Sequence, residues 1–431
     1  RRYQKIIEES PSPSISGSTR EKITSAAVKL AAGISYTNAG TIEFLLDTNE
    51  NFYFIEMNTR IQVEHPVTEM ITGIDLVAEQ IRIAEGSVLS KKQEDVRMEG
   101  HAIEARIYAE DPEQGFMPST GLIWDLDYPE NMARIDSGFV KDNEVSAFYD
   151  PMIAKIIAHD KNRDSAARRL SDAIRNFRIA GIETNRSFLS SLLNSKLFGE
   201  NRVFTRTIDQ EADTILNEVS IEKKNIPQNH ILALFALTAL TANAKKSGTG
   251  SIFNELGYWR QVPGMKITVN NEEKLIRFVK NQPAAKLGLF LGEKLVEIEE
   301  ISHSAGNYRV RIDNNVLNFR GLVNGSDIYL DLCGFNFSAR RLDIPDPRYA
   351  GKDKKKTEAD NPKEIHAPLN GKIIRINARA GLKVNAGDVL VVIESMKMEN
   401  RITCPSSGEI DDVLIKEGEL VERNKLLITL K

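Results

Sequence analysis

Lys397 stands between two methionines in the run Glu394-Ser395-Met396-Lys397-Met398. A primary amine with apolar neighbours on both sides suits covalent modification, because the methionines give a modifying enzyme a shape to read. A solvated surface lysine beside two stray methionines would have the same local sequence, so its surroundings decide the matter. A second group lies near the N-terminus, where the β-rich runs 41–46 and 52–57 flank Asp47-Thr48-Asn49-Glu50-Asn51, a sequence suited to a hairpin turn. Centred on Asn49-Glu50, paired positions sum to 99 and Glu43 faces Glu56, with side chains ~5 Å apart. Two facing carboxylates repel unless a divalent cation joins them, and all-oxygen ligation suits Mg²⁺ or Mn²⁺. Two solvent-facing glutamates on an edge hairpin are the plainer alternative.

The hairpin leads into Asn58-Thr59-Arg60-Ile61-Gln62-Val63-Glu64-His65-Pro66. In an extended segment alternate side chains share a face, which predicts that Arg60, Gln62 and Glu64 point together. A guanidinium fork, an amide donor and a carboxylate make a cradle for a small planar oxyanion such as bicarbonate, with Glu64 placed to act as base. A surface salt bridge between Arg60 and Glu64 would use the same residues.

These groups need rigid elements to hold them. Around Lys397 the elements are duplicated: a shift of 37 positions lays Gly371 on Gly408, Ile373 on Ile410, Gly381 on Gly418, Val384 on Val421, Leu390 on Leu427 and Val391 on Ile428. Two β halves of ~24 residues cannot bury their apolar faces separately and must pack as one flattened sandwich. The hairpin joining them protrudes and carries Lys397, 34 residues before the C-terminal Lys431. Residues 1–205 mix helical patterns (19–32, 68–85, 163–176) with short β runs, an α+β body. A long apolar helix over 228–244 precedes a stretch of short strands to about 345, a small barrel or sandwich carrying one helix. Residues 346–364 have almost nothing to bury and read as a flexible linker with an r.m.s. span of ~20–25 Å.

Composition narrows the function classes. At about 150 residues per domain, 431 residues make roughly three domains. Lys and Arg number 57 against 61 Asp and Glu, a net charge of -4, so no basic footprint for nucleic acid exists. The longest apolar run, 231–242, is short of the ~20 residues that cross a bilayer and predicts a buried helix. Two cysteines, Cys333 and Cys404, build neither a disulfide framework nor a structural zinc site. The chain opens on Arg1-Arg2-Tyr3 as though inside a domain.

With these residues in view, 365–431 resembles a biotin carboxyl carrier domain with Lys397 as the attachment site, although Ser395 stands where that family usually has Ala. A lipoyl domain shares the fold and the repeat, but its lysine usually follows Asp and lacks methionines on both sides. The run from Phe54 to Glu69 resembles the biotin carboxylase signature, and 1–205 resembles the C-terminal half of that ATP-grasp enzyme. The resemblance implies that Glu43, Glu56 and Asn58 hold metal-ATP, that Arg60, Gln62 and Val63 bind bicarbonate, and that Glu64 is the general base. It makes Arg106 the residue that stabilises the biotin enolate with Asp150 nearby, and it places Leu45 and Ile182 at the adenine pocket. Tyr3 takes a position where a ribose-contacting His is common.

The implied fold is multidomain α+β: part of an ATP-grasp biotin carboxylase, a small barrel with one long helix (206–345), and a flattened-sandwich biotinyl domain. No glycine-rich phosphate loop precedes the carboxylase residues, since the 27 glycines are scattered. About 145 residues between 220 and 365 cannot hold a (β/α)₈ carboxyltransferase of ~250. The expected protein is therefore the alpha subunit of an acyl-CoA carboxylase of the propionyl-, acetyl- or methylcrotonyl-CoA type, a ligase using biotin, ATP and Mg²⁺ or Mn²⁺. Its partners would be a carboxyltransferase beta subunit and a biotin protein ligase, in a large hetero-oligomer of the bacterial cytoplasm or mitochondrial matrix. Gly257-Tyr258-Trp259-Arg260 resembles a Gly-Trp-Arg element of methylcrotonyl-CoA carboxylases, although Trp259 could equally be barrel core. Two other readings stay open at this point, a non-catalytic carrier and assembly fragment and a lipoyl-bearing dehydrogenase component.

Overall fold

The computed structural model describes residues 5–244, 264–279, 286–344, 363–395 and 398–431. The sequence expectations for Tyr3, for 257–260, for most of the 346–364 linker and for Met396 and Lys397 lie outside them.

Near the N-terminus, four antiparallel strands form one sheet in the order β1 (Ile7–Ser10), β4 (His101–Tyr108), Met152–Asp160, Arg134–Ser137. The strands α1 (Gly17–Gly33) and the hairpin β2 (Thr41–Leu46) and β3 (Phe52–Asn58) separate in sequence are β1 and β4. Strand β4 alternates from Ile103 on: Ile103, Ala105 and Ile107 are fully buried on one face, and Glu104, Arg106 and Tyr108 occupy the other. The apolar face packs on α4 (Arg163–Asn176) and α5 (Arg186–Asn194), burying Leu170, Ile174, Phe188 and Leu189. Helix α4 is capped by Asn162, whose side chain accepts from the Ser165 N–H. The polar face lies under α2 (His65–Thr72), where Val67 and Ile71 meet Ala102 and Ile157. The single helix expected over 68–85 is two: Gly73, with φ +66°, ends α2, and Asp75 caps α3 (Leu76–Ala84).

Eight antiparallel strands between Gly264–Val269 and Phe335–Arg341 close into a barrel, the first pairing the last through Ile267 opposite Arg341. Closure removes both sheet edges, resolving the choice between barrel and sandwich. The helix Gln228–Ala244 is apolar all round and shares one core with the barrel's inner side chains, among them Ile276, Ile298, Val310, Ile328 and Leu330. Among the described residues no helix is long and apolar enough to cross a membrane.

The C-terminal unit is two four-stranded sheets facing each other. The repeat positions match in burial: Ile373 and Ile410 are both 0% exposed, and Leu390, Val391, Leu427 and Ile428 join them in one core. Register repeats as well, with Gly371 opposite Val421 and Gly408 opposite Val384. Cys333 and Cys404 are both free thiols.

Candidate active site

The site is built on the β2–β3 hairpin, the turn that follows it, and the polar face of the four-stranded sheet. Register places Glu43 opposite Glu56 and Thr41 opposite Asn58. A bulge between Glu43 and Phe44 then moves the pairing by one, so Phe44 faces Phe54 and the turn spans five residues held by Asp47. The sum-of-99 register therefore holds on the site side of the bulge alone. Asn58 Nδ2 donates to Oε1 of both glutamates, at 3.0 Å to Glu43 and 3.2 Å to Glu56. Glu43 also accepts from Lys5 Nζ at 2.8 Å and from Gln62 Nε2 at 2.8 Å. These donors, Lys5 first, hold its carboxyl below the usual range. Glu43 and Glu56 meet at the Asn58 amide, and their carboxylate oxygens with its carbonyl are donors of the kind that a hard divalent cation takes.

Beyond β3 the chain is not extended. His65 N donates to the Gln62 carbonyl and Val67 N to that of Glu64, turning the backbone into α2, which opens with Pro66. The common face expected for Arg60, Gln62 and Glu64 is thereby lost, and the three diverge. Arg60 is exposed and donates to the Ile61 carbonyl at 3.0 Å. Gln62 is buried and turns to Glu43. Glu64 Oε2 accepts from Arg106 Nη2 at 2.7 Å, and its Oε1 lies 3.6 Å from Lys5 Nζ. The carbonyl of Val63 accepts from Lys155 Nζ at 2.7 Å.

Arg106 is thus surrounded by acids. Glu8 lies 3.4 Å away and Glu104 3.7 Å away, in addition to Glu64. Burial, and then the charge of Glu64, push the Glu8 carboxyl up to about 7. Asp150 is not a partner of Arg106: it is exposed, and its side chain accepts from the Met152 N–H at 3.1 Å. Ile182 is buried in the core whereas Leu45 is 51% exposed, so the structure leaves the two adenine-pocket candidates in different surroundings.

Sequence reasoning missed Lys5, Glu8, Glu104 and Lys155. The signal for Glu104 was present in His101-Ala102-Ile103-Glu104-Ala105-Arg106-Ile107-Tyr108-Ala109-Glu110, where apolar and polar residues alternate. On the two described strands nearest Lys397 in sequence, Ser395 pairs with Met398 and Glu394 with Glu399.

Three family models match the chain. They are the biotin carboxylase C-terminal domain over 104–210, the carbamoyl-phosphate synthase L chain ATP-binding domain over 1–92, and the biotin-requiring enzyme family over 363–430. By these matches the chain is similar to biotin-dependent carboxylases. Its homologues are the alpha subunits of acyl-CoA carboxylases. Methylcrotonoyl-CoA carboxylase subunit alpha, mitochondrial, of Rattus norvegicus is 35% identical over 452 residues, covering 99% of this chain and 61% of the relative. Propionyl-CoA carboxylase alpha chain, mitochondrial, of Sus scrofa is 32% identical over 463 residues, covering 100% and 60%. The chain therefore spans about three fifths of the length of these relatives. Among solved structures, a biotin carboxylase complex from Campylobacter jejuni is 41% identical, with 49% of this chain and 47% of that one covered and a TM-score of 0.47.

Proposed function

We propose that this chain is the biotin-carrying part of the alpha subunit of an acyl-CoA carboxylase, in which biotin on Lys397 is carboxylated from bicarbonate at the expense of ATP. The observation that carries the reading is the convergence of Glu64 and Arg106 beside the Glu43, Glu56 and Asn58 set. We divide the chain into a carboxylase part (1–205), a docking helix and barrel (206–345), a linker (346–364) and a biotinyl domain (365–431).

In this reading Glu64 takes the proton of bicarbonate, and the guanidinium 2.7 Å away steadies the charge that passes through it. Gln62 and the turn around Val63 shape the anion pocket, and Arg60 completes it by leaving the Ile61 carbonyl. Glu43, Glu56 and Asn58 would hold Mg²⁺ or Mn²⁺ with ATP, and the cation would neutralise phosphate charge there. Biotin, when attached, supplies the nitrogen that accepts the carboxyl group. The carboxyl then passes to an acyl-CoA on a separate carboxyltransferase beta subunit, for which the barrel and its helix are the docking domain. A biotin protein ligase makes the holoprotein. The free thiols and the mitochondrial relatives support a reducing location, the mitochondrial matrix or the cytoplasm of a bacterium.

Free-biotin-dependent ATP cleavage by the natively expressed protein tests the assignment. Glu64→Gln should lower it by ~10²-fold or more; an unchanged rate would remove Glu64 as the base.

A further inference from the structure

Glu104 is the most deeply buried carboxylate near the site. It sits on β4 on the face that carries Arg106, is 0% exposed, and neither of its oxygens has a hydrogen-bond partner. The Arg106 Nε is likewise buried and without a hydrogen-bond partner, 3.7 Å from Glu104 Oε1. Lys155 Nζ lies 4.0 Å from Glu104 Oε2, and Glu8 stands opposite Glu104 in the β1–β4 register. Two complementary orphaned atoms side by side in a dry interior are costly apart, and a closure of under 1 Å would satisfy both. Nothing in the packing demands this carboxylate, since the adjacent alternate positions Ala102 and Ile157 on the same face are apolar.

Resting on the function proposed above, we propose that Glu104 is a positioning residue: it accepts a hydrogen bond from Arg106 Nε and so fixes the guanidinium from behind, leaving the Nη edge aimed at Glu64 and substrate. Arg106 otherwise has a competing acid on its outer edge, Glu8 at 3.4 Å against Glu64 at 2.7 Å. A hold at Nε decides between them, because it sets the plane of the fork while touching neither reacting group. Burial pushes the Glu104 carboxyl up to about 8. A neutral acid still offers its carbonyl oxygen to Nε, and glutamine offers an equivalent oxygen at the same place.

The test compares Glu104→Gln, Glu104→Leu and wild type in the natively expressed protein. Leucine should lower the unfolding temperature only modestly, because Arg106 stays paired with Glu64 and Lys155 with Asp136 when the buried acid is removed. It should nevertheless lower kcat for free-biotin-dependent ATP cleavage at least tenfold with KM for ATP unchanged, and glutamine should stay within threefold of wild type. Wild-type kcat in Glu104→Leu, or a loss in Glu104→Gln as large as in Glu104→Leu, would overturn the proposal. A second readout does not depend on turnover: the ¹⁵N Arg106 Nε–H resonance, assigned by its disappearance in Arg106→Lys. It should persist in Glu104→Gln and broaden or shift in Glu104→Leu; an unmoved resonance overturns the positioning role. An inactive wild type with the expected resonances would sink the carboxylase reading and leave the Glu104 contact standing.

Discussion

Lys155 reaches the carbonyl of Val63, 2.7 Å from its ammonium, across 92 residues of sequence. The same ammonium lies 3.2 Å from Asp136 on the neighbouring strand. One buried lysine therefore fastens the turn bearing Gln62 and Glu64 to the middle of the sheet.

Replacing Lys155 by Met keeps the aliphatic stem and removes the tie. The expected result is a rise of about tenfold in KM for bicarbonate, equivalent to ~1.4 kcal/mol, with KM for ATP unchanged. Steady-state kinetics with bicarbonate varied would check it, and equal KM values would show that the turn holds its shape unaided.

Glu110 gives a pH signature for the folded unit. It is buried, and burial, then the charge of Asp150, push its carboxyl up to about 7. An unfolded glutamate ionises near pH ~4.3, so between these values the folded state keeps a proton that the unfolded chain releases. The stabilisation is complete below the lower value and is lost as pH rises through the higher one. Urea unfolding of wild type should weaken from pH 5 to 8 by roughly 2–3 kcal/mol more than that of Glu110→Gln. Parallel pH profiles would contradict the shift.

The long helix is wedged against the barrel at one close approach. A Cβ added to Gly321 would collide with Thr238 Oγ1 and would meet Thr238 Cγ2 at 2.8 Å. Gly321→Ala should cost about 1–3 kcal/mol, and adding Thr238→Ala should recover most of it, since the Thr238 hydroxyl is buried without a hydrogen-bond partner. Thermal unfolding of the single and double variants decides; strict additivity would mean that the two positions do not touch.

The N-terminal α+β body and the barrel meet through a buried ion pair. Arg186, 2% exposed, lies 2.5 Å from Asp331, 4% exposed, and also donates to Asn336 at 2.7 Å. Tyr329 adds a hydrogen bond to the Ile179 carbonyl. Arg186→Ala strands a buried acid and should cost about 3–5 kcal/mol. Calorimetry would show the loss as a lower first transition, and an unchanged trace would mean that the contact carries no energy.

How much was legible in the sequence differs by element for physical reasons. The β2–β3 hairpin and the facing of Glu43 and Glu56 followed from period-2 alternation and turn chemistry, because those signals are local. The bulge at Phe44 did not, since it depends on packing around the turn. The cradle of Arg60, Gln62 and Glu64 was misdrawn because Pro66 starts a helix at once, and the required turn abolishes strand alternation. Glu8, Glu104 and Lys155 come from three strands that meet only in the sheet, so no window of sequence contains them. In the C-terminal unit the 37-residue shift made the core positions readable in advance, since duplication repeats burial along with residue type.

Biotin on Lys397 is what links the carboxylation proposed for the N-terminal site to the C-terminal unit. Peptide mass mapping of the natively expressed protein, made with biotin and its ligase available, should find a single biotinyl amide on Lys397 and none on the Lys397→Ala protein. A bare lysine, or a lipoyl group in its place, would contradict the account.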